Sequence, residues 1–409
     1  MTEAKEARLP ARELHEYLLV LGGALVKYGA PTHRLEAVIR EVAALSGYQA
    51  EAFGTLTGLF VSLEGEVRMT RVNVWGTDLG RLARVDRILN DVLVSRTTLA
   101  EAQQQIEELE QRRPIYPTWA LWLASAGASA AAAVFFLGAW LEVACAAFGG
   151  LLVGIIGTLA RRNPRTSLLA DFLGGLIAGL LAWGASWVDA NIQREVIVLS
   201  TIITFVPGMA LTAGLAELAH KNLVSGGARL MDAMMALLSI VFGIAVSVTL
   251  EKLTGWAPPV PPDLLRSPEL GLAFQVIAMV IAAFSFSVSF AVPRSLLHLT
   301  MLAAGLAWVV TQIGLRTLPG ALAAFSAAAA VSLLANALAR ITQRPAQLFL
   351  VPGLILLVPG SVGFRSLEMF LRGQFLDGAA RGFDMFLGGG AIVVGMLVAN
   401  VVLPSRKIL

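Results

Sequence analysis

Two short stretches decide how the apolar part of this chain folds: "FVPGMALTAG" at Phe205–Gly214 and "LVPGSVGFRS" at Leu357–Ser366. Each stretch places a Val-Pro-Gly inside a long apolar run. Proline lacks the backbone donor and clashes with the carbonyl one turn earlier, so it interrupts a helix. In hydrocarbon a broken helix is tolerated only where protein or a wet cavity satisfies the freed backbone groups. The two stretches therefore predict two interrupted membrane helices beside a cavity.

The composition around these stretches is that of a membrane protein. Of the 409 residues, 56% are hydrophobic and 14% are charged, and the mean hydropathy is +0.73. These values lie far from soluble usage. The charged residues concentrate in 1–117, which predicts a soluble domain followed by a membrane domain. The net charge of +3 is small and no basic block interleaves with aromatic residues, so we predict no nucleic-acid partner.

Ten runs are long enough to cross a bilayer, which takes about 20 apolar residues. They are 118–138, 139–159, 167–188, 196–214, 230–250, 270–290, 295–313, 318–339, 346–364 and 383–403. The predicted organisation is a cytoplasmic α+β domain at 1–117, five membrane helices within 118–250, a proline-rich linker at 251–269 and five more helices within 270–409.

The first 117 residues mix helical and strand patterns. A helix predicted from Glu13 ends at Gly29, a suitable C-cap, and Pro31 suits the first turn of the next helix. Short alternating runs between 48 and 75, broken by glycines, predict a small antiparallel meander. Two more helices lead to the membrane. The sequence therefore predicts a small α+β domain.

The membrane part carries an internal duplication. A shift of 152 residues places Val206-Pro207-Gly208 on Val358-Pro359-Gly360. The same shift places Gly226, Ala228, Arg229, Asp232 and Gly243 on Gly378, Ala380, Arg381, Asp384 and Gly395. Coincidences at one offset indicate a repeat. Since five spans is an odd number, the second half must be turned over. We therefore predict a membrane all-α domain of ten transmembrane helices as two inverted five-helix repeats, a plan common in secondary transporters.

The distribution of basic residues predicts the orientation. Lys and Arg are more frequent in the loops on the side of the N-terminal domain than on the other side. The positive-inside rule then places that domain in the cytoplasm. Ten spans return the C-terminus, Leu409, to the same side.

The two helix breaks are the first candidate binding site. Inverted topology would bring Pro207-Gly208 and Pro359-Gly360 together near the midplane, where freed carbonyls and helix N-termini suit a carboxylate or a zwitterion. A proline kink that serves only packing is the alternative. Thr204 and Ser361 are neighbouring polar candidates for substrate binding.

Rare intramembrane charges are the second source of candidates. Arg229 and Asp232 share one helix face, as do Arg381 and Asp384, and charge inside a membrane is usually functional. We predict that these four residues contact substrate. The alternative is an ion pair within each helix that pins it near the membrane surface.

Asp171 is the predicted proton carrier. Its neighbours in "SLLADFLGGL" are apolar, and loss of hydration favours the neutral, protonated carboxyl. Asp232 and Asp384 differ because each has an arginine three residues away, which favours the ionised form. Neutralisation of Arg161 or Arg165 is the alternative role for Asp171.

Taken together, these motifs resemble a known family. A domain with "YGAPTHRLE" at Tyr28–Glu36 and "GTDLGRL" at Gly76–Leu82, followed by five spans with "VPG" and "SGGAR", is similar to the threonine/serine exporter family. The second half looks like that family's second membrane module. The resemblance covers nearly the whole chain and implies a ten-span exporter in the bacterial cytoplasmic membrane, driven by the proton gradient without a cofactor. The matching positions are Gly29, Pro31, Arg34, Glu36, Pro207, Gly208, Gly226 and Arg229.

The predicted function is proton-coupled export of a small amino acid such as threonine or serine across the lipid bilayer. Some relatives split the two modules, and one such pair is associated with succinate, so a C4-dicarboxylate exporter is the alternative; a channel is the third. No enzyme is predicted, because His15 and His33 have no cysteine nucleophile, GxSxG or metal spacing. The soluble domain either gates the inner mouth or holds a homo-oligomer together.

Overall fold

A computed structural model of the chain describes residues 10–73, 76–161, 169–255, 271–357, 360–371 and 373–405. The N-terminal part holds four helices and three strands in these residues. They are α1 (Ala11–Tyr28), α2 (Thr32–Leu45), β1 (Ala50–Thr55), β2 (Gly58–Leu63), β3 (Glu66–Arg71), α3 (Leu79–Leu93) and α4 (Leu99–Gln111). The small α+β domain predicted from the sequence is present.

Local signals explain the ends of these elements. Gly29 ends α1 in the left-handed conformation, at φ 91°, which a residue with a Cβ adopts at a cost. The strands pair antiparallel in the order β1-β2-β3, and the tight turn between β2 and β3 takes positive φ at Glu64 and Gly65. Pro31 precedes α2 as its N-cap, one residue earlier than predicted.

The core of this domain continues into the helices of the membrane part. Leu18 and Leu25 of α1, Ile39 of α2 and Leu59 of β2 are fully buried in one cluster. The same cluster includes residues from later in the chain, namely Val292, Ala335, Leu338, Leu348 and Phe349. The N-terminal domain therefore shares a core with the second membrane half.

The membrane part is helical in the described residues. Its helices are α5 (Thr118–Phe135), α6 (Trp140–Ala160), α7 (Ala170–Ala185), α8 (Arg194–Thr201), α9 (Gly208–Ala219), α10 (Leu223–Thr254), α11 (Leu272–Ser289), α12 (Leu297–Thr317), α13 (Gly320–Thr342), α14 (Gln347–Leu354), α15 (Gly360–Leu371) and α16 (Phe375–Val402). A 3₁₀ turn at Arg294–Leu296 leads into α12.

Seven helices in the described residues are long and apolar enough to cross a membrane: α5, α6, α10, α11, α12 with its 3₁₀ turn, α13 and α16. Two further apolar helices, α7 and α9, are shorter. The chain is therefore a multi-pass membrane protein. The count of ten spans stays a prediction. The predicted third span, α7, is shorter than the other seven, and the predicted fourth and ninth spans are each built from two short helices.

Both predicted helix breaks are confirmed. In the predicted fourth span α8 ends at Thr201, the chain turns, and α9 begins at Gly208, directly after Pro207. In the predicted ninth span α14 ends at Leu354 and α15 begins at Gly360. Val358 and Pro359 lie outside the described residues.

Glycines let equivalent helices of the two halves pack closely. Gly243 of α10 lies against the backbone carbonyl of Phe172 in α7. At the shifted position, Gly395 of α16 lies against the backbone carbonyl of Phe325 in α13. Small residues allow such approach between membrane helices. Gly243 and Gly395 are thus equivalent packing positions in the two halves.

Glu142 is a carboxylate inside a predicted span that the sequence analysis did not single out. It is 1% exposed. One of its oxygens accepts a hydrogen bond from the Ala139 amide at 3.1 Å, and the other accepts one from the Gln193 amide at 2.9 Å. Glu142 therefore caps α6 and holds the segment that leads into α8.

We expect Glu142→Ala to lower the free energy of unfolding by roughly 2–4 kcal/mol, because it leaves two partly buried amides without acceptors. Thermal unfolding of the purified protein in detergent measures the loss. Glu107→Ala is the control, since Glu107 is exposed on α4. Equal unfolding temperatures for the two variants would contradict this role.

Candidate functional site

The two helix breaks lie against each other. A Cβ built on Gly360 would lie 3.2 Å from the Cα of Gly208 and 3.4 Å from its backbone nitrogen. Each glycine is the first residue of its helix, α15 and α9 respectively. Two helix N-termini, with their positive dipole ends, therefore meet at one place. This arrangement suits a negatively charged group.

A cavity of about 400 Å³ lies beside these breaks. We name it the break cavity, and its lining comprises Val206, Gly208, Ile355, Leu356, Gly360 and Ser361 from the breaks, with Phe135, Phe136, Gln275, Phe286, Trp308, Thr311 and Gln312 among the other residues. The lining residues within the described parts of the chain carry no formal charge. Polar recognition in the break cavity would rest on hydroxyl, amide and backbone groups.

The break cavity lies on the side of the membrane helices away from the N-terminal domain. Gln275 belongs to the first turns of α11, and Gln312 belongs to the last turns of α12. The N-terminal domain contacts the opposite end of α11, where the Leu79 amide donates to the Phe290 carbonyl at 3.0 Å.

A second cavity, of about 260 Å³, lies between the N-terminal domain and both membrane halves. We name it the interface cavity. Its polar lining consists of His33, Arg34 and Thr77 from the N-terminal domain, Thr212, Glu217, His220, Arg229 and Asp232 from the first half, and Asn336, Gln347 and Asn400 from the second. The breaks lie between the two cavities.

A buried carboxylate organises the interface cavity. Glu217 is 2% exposed, and its Oε1 accepts hydrogen bonds from the Thr32 hydroxyl and from Arg229 Nε, both at 3.0 Å. The Ser225 hydroxyl lies 3.0 Å from that of Thr32. This network joins α2 of the N-terminal domain to α9 and α10 of the membrane part.

Two histidines stack across the same interface. The rings of His33 and His220 are 3.9 Å apart between centroids and parallel within 1°. Burial, with His220 and Arg34 nearby, lowers the pKa of His33 from 6.5 to about 3. His33 is thus neutral at physiological pH, and the stack does not carry two positive charges.

We expect acid to weaken this interface through His33. The unfolded chain binds a proton here below pH 6.5 while the folded protein does not until about pH 3, so stability falls as pH decreases across that window. At pH 5 the loss is at most about 2 kcal/mol.

The test is His33→Phe, which keeps a ring against His220. Its unfolding temperature should fall less than that of the wild type between pH 7.5 and pH 5. An equal fall in both proteins would show that another group carries the acid sensitivity.

The structure brings together only some of the predicted site residues. Gly208, Gly360 and Ser361 line the break cavity, and Pro207 directly precedes α9. Thr204 lies in the turn between α8 and α9, where its hydroxyl is 3.2 Å from that of Ser125. Pro359 lies outside the described residues.

The structure places the two predicted charged pairs in different surroundings. Arg229 and Asp232 line the interface cavity, but Arg229 pairs with Glu217, so an ion pair within α10 is the wrong interpretation. Arg381 and Asp384 are exposed on α16, line neither cavity and form no ion pair with each other.

Asp171 lies in the first turn of α7, outside both cavities. α7 packs along α10, the helix that carries Asp232. No ion pair joins Asp171 to Arg161, whereas Arg165 lies outside the described residues.

Sequence reasoning missed Glu217, Thr32 and His220. Glu217 lies three residues beyond the predicted fourth span, which ends at 214, so it was not counted as an intramembrane acid. Thr32 lies in the "YGAPTHRLE" motif, but the positions matched to the family were its neighbours Pro31 and Arg34 and not Thr32 itself. The available signal was an acid and an arginine twelve residues apart, on either side of the short connection between α9 and α10.

Comparison with known proteins places both halves in one family. Residues 16–251 match the family model described as "Putative threonine/serine exporter", and residues 275–402 match a second model described as "Threonine/Serine exporter, ThrE". The "Probable threonine/serine exporter" of Mycobacterium tuberculosis is 25% identical over 351 residues, which cover 81% of this chain and 65% of that protein.

Fungal proteins are also similar. An uncharacterized protein of Schizosaccharomyces pombe is 30% identical over 254 residues, covering 59% of this chain and 33% of that protein. Pheromone-regulated membrane protein 10 of Kluyveromyces lactis is 26% identical over 278 residues, covering 62% of this chain and 28% of that protein. The matched parts thus span from 28% to 65% of these relatives' lengths. No solved structure matches the chain.

Proposed function

Because the chain belongs to the threonine/serine exporter family, whose members are membrane transporters and not enzymes, we propose that it exports a small amino acid such as threonine or serine. Export uses the proton gradient across the bacterial cytoplasmic membrane. The substrate passes between the two membrane halves, from the interface cavity through the breaks to the break cavity.

The contact between Gly208 and Gly360 carries this proposal. It separates a cavity on the side of the N-terminal domain from one on the other side. A constriction between two opposed cavities, built from broken helices of two repeats, is what alternating access requires.

The ends of the helices support an inverted arrangement of ten spans. α5 begins close after the N-terminal domain, whereas α11, its counterpart at the 152-residue shift, ends at that domain through the Phe290 carbonyl. Counterparts that run in opposite directions are expected of inverted repeats. In this arrangement the N-terminal domain and Leu409 are both cytoplasmic, and the domain closes the inner mouth.

The substrate carboxylate binds at the N-termini of α9 and α15 in this proposal. Ser361 in the break cavity and Thr204 in the turn before α9 supply hydroxyls near that point. Arg229 and Asp232 act on the cytoplasmic side, in the interface cavity. Asp171 carries the proton.

We expect Gly360→Ala to reduce transport at least tenfold. The new methyl group would lie 2.5 Å from Val206 Cγ1 and 3.2 Å from Gly208 Cα, so the breaks must move apart, and overpacking of this kind costs about 1–3 kcal/mol. Threonine efflux from loaded proteoliposomes measures the rate.

Gly390→Ala on α16 is the matched control, because its new methyl group would meet nothing within 4 Å. It should transport like the wild type. Normal transport by Gly360→Ala would show that the contact between the breaks is not part of the pathway.

A further inference from the structure

Unpartnered polar atoms cluster around the interface cavity. Among the described residues, Thr212 Oγ1, Glu217 Oε2, His33 Nδ1 and Gln347 Oε1 are buried without a hydrogen-bond partner, and all four residues line this cavity. Thr212 and Glu217 are each 2% exposed, and Gln347 is 8% exposed. Buried polar groups are nearly always hydrogen-bonded. Four such atoms around one space therefore indicate a ligand that satisfies them.

The formal charges of the lining balance. Arg34 and Arg229 are positive and Glu217 and Asp232 are negative, so the two arginines and the two acids cancel in formal charge. A dianion would meet two carboxylates in this space without an excess of positive charge. A zwitterion matches the balance, because its ammonium and carboxylate groups each find an opposite charge.

The size of the cavity limits the ligand. Its volume of about 260 Å³ is below the range of roughly 300–1,000 Å³ that is typical of sites for drug-sized molecules. Residues of the N-terminal domain and of both membrane halves form its walls. The ligand is therefore a small molecule that the N-terminal domain helps to enclose.

We propose that the interface cavity is a second binding site, for a zwitterionic hydroxy amino acid, formed jointly by the N-terminal domain and the two membrane halves. The identity of the ligand as cargo rests on the proposed function. The N-terminal domain thus takes part in loading the transporter, since His33 and Arg34 belong to the site.

Each part of the ligand has a partner in this site. Glu217 Oε2 accepts from the ammonium group, while Glu217 Oε1 stays bonded to Thr32 and Arg229. The guanidinium group of Arg229 holds the carboxylate. Thr212 Oγ1 and Gln347 Oε1 bond the side-chain hydroxyl. An amino acid without that hydroxyl would leave these two buried groups unpaired and bind more weakly.

The test measures equilibrium binding of labelled threonine to the purified full-length protein. Competition with unlabelled 2-aminobutyrate, which has the shape of threonine without its hydroxyl, gives the preference for the hydroxyl. We expect Thr212→Val to weaken threonine binding about tenfold and to remove most of that preference. Gln347→Met should act in the same direction.

Thr201→Val is the matched control. Thr201 also has a buried hydroxyl without a partner among the described residues, but it lines neither cavity. Its affinity and hydroxyl preference should equal those of the wild type. A lower unfolding temperature than that of the wild type would identify a folding defect. Thr212→Val should keep the wild-type unfolding temperature, because it removes a hydroxyl that has no hydrogen-bond partner.

Three results would overturn the proposal. Thr212→Val and Gln347→Met could both bind threonine with unchanged affinity and unchanged hydroxyl preference, which places the ligand elsewhere. Succinate could displace threonine equally from the wild type, which contradicts the charge argument. If the wild type binds no threonine at all, the proposed function itself fails. If the wild type transports threonine but both variants bind it with unchanged affinity and preference, only the second site is refuted.

Discussion

Proteoliposomes that carry Asp171→Asn should exchange internal for external threonine at the wild-type rate but should lose uphill export driven by the proton gradient. Asparagine keeps the shape of aspartate and cannot load or unload a proton. Asp171 lies in the first turn of α7, which packs along α10. Exchange needs only the substrate pathway, so it should survive.

Asp189→Asn is the control for that experiment. Asp189 lies in the turn after α7, where its side chain accepts a hydrogen bond from the Asn191 amide. Its uphill export should match that of the wild type. If Asp171→Asn exports uphill at the normal rate, the proton is carried elsewhere, and Glu217, with one unpartnered oxygen, becomes the next carboxylate to test.

Glu217→Leu should destabilise the protein by about 3–5 kcal/mol, because it leaves Arg229 buried without its partner. The two side chains are 3% and 16% exposed, so solvent screens the remaining charge poorly. The substitution also removes the acceptor of the Thr32 hydroxyl, which joins the N-terminal domain to α9. Thermal unfolding and proteolytic release of the N-terminal domain would report both effects.

The double variant Glu217→Leu/Arg229→Met separates stability from function. Replacing both members of a buried ion pair by apolar residues often restores stability. We expect an unfolding temperature close to that of the wild type together with loss of threonine transport. Recovery of transport with recovery of stability would show that the pair serves only the fold.

Local sequence signals predicted the parts of the fold that depend on short segments. Proline removes a backbone donor, so the break before Gly208 followed from a few residues. Gly29 ends α1 for the same kind of reason. The Val-Pro-Gly motif alone does not decide the outcome, because Pro352 of Val351-Pro352-Gly353 lies inside α14. The repeat was visible because equivalent helices, such as α9 and α15, keep their positions at one shift.

The interface between the two parts of the chain could not be predicted in this way. Thr32 and Glu217 are 185 residues apart in sequence, and no local pattern joins them. The repeat also suggested that the charged residues of the two halves have equivalent surroundings, which they do not. Arg229 and Arg381 are equivalent in sequence, but the position equivalent to Glu217 is Met369, so Arg381 has no matching acid. Equivalent residues of the halves therefore have different surroundings.

Counterflow in proteoliposomes distinguishes amino acid export from succinate export and from a channel. Vesicles loaded with unlabelled threonine or succinate are placed in trace labelled threonine or succinate, with and without a proton gradient. We expect saturable accumulation of threonine, faster with the gradient, and none of succinate. Flux that does not saturate and ignores the gradient would indicate a channel, and accumulation of succinate alone would contradict export of an amino acid.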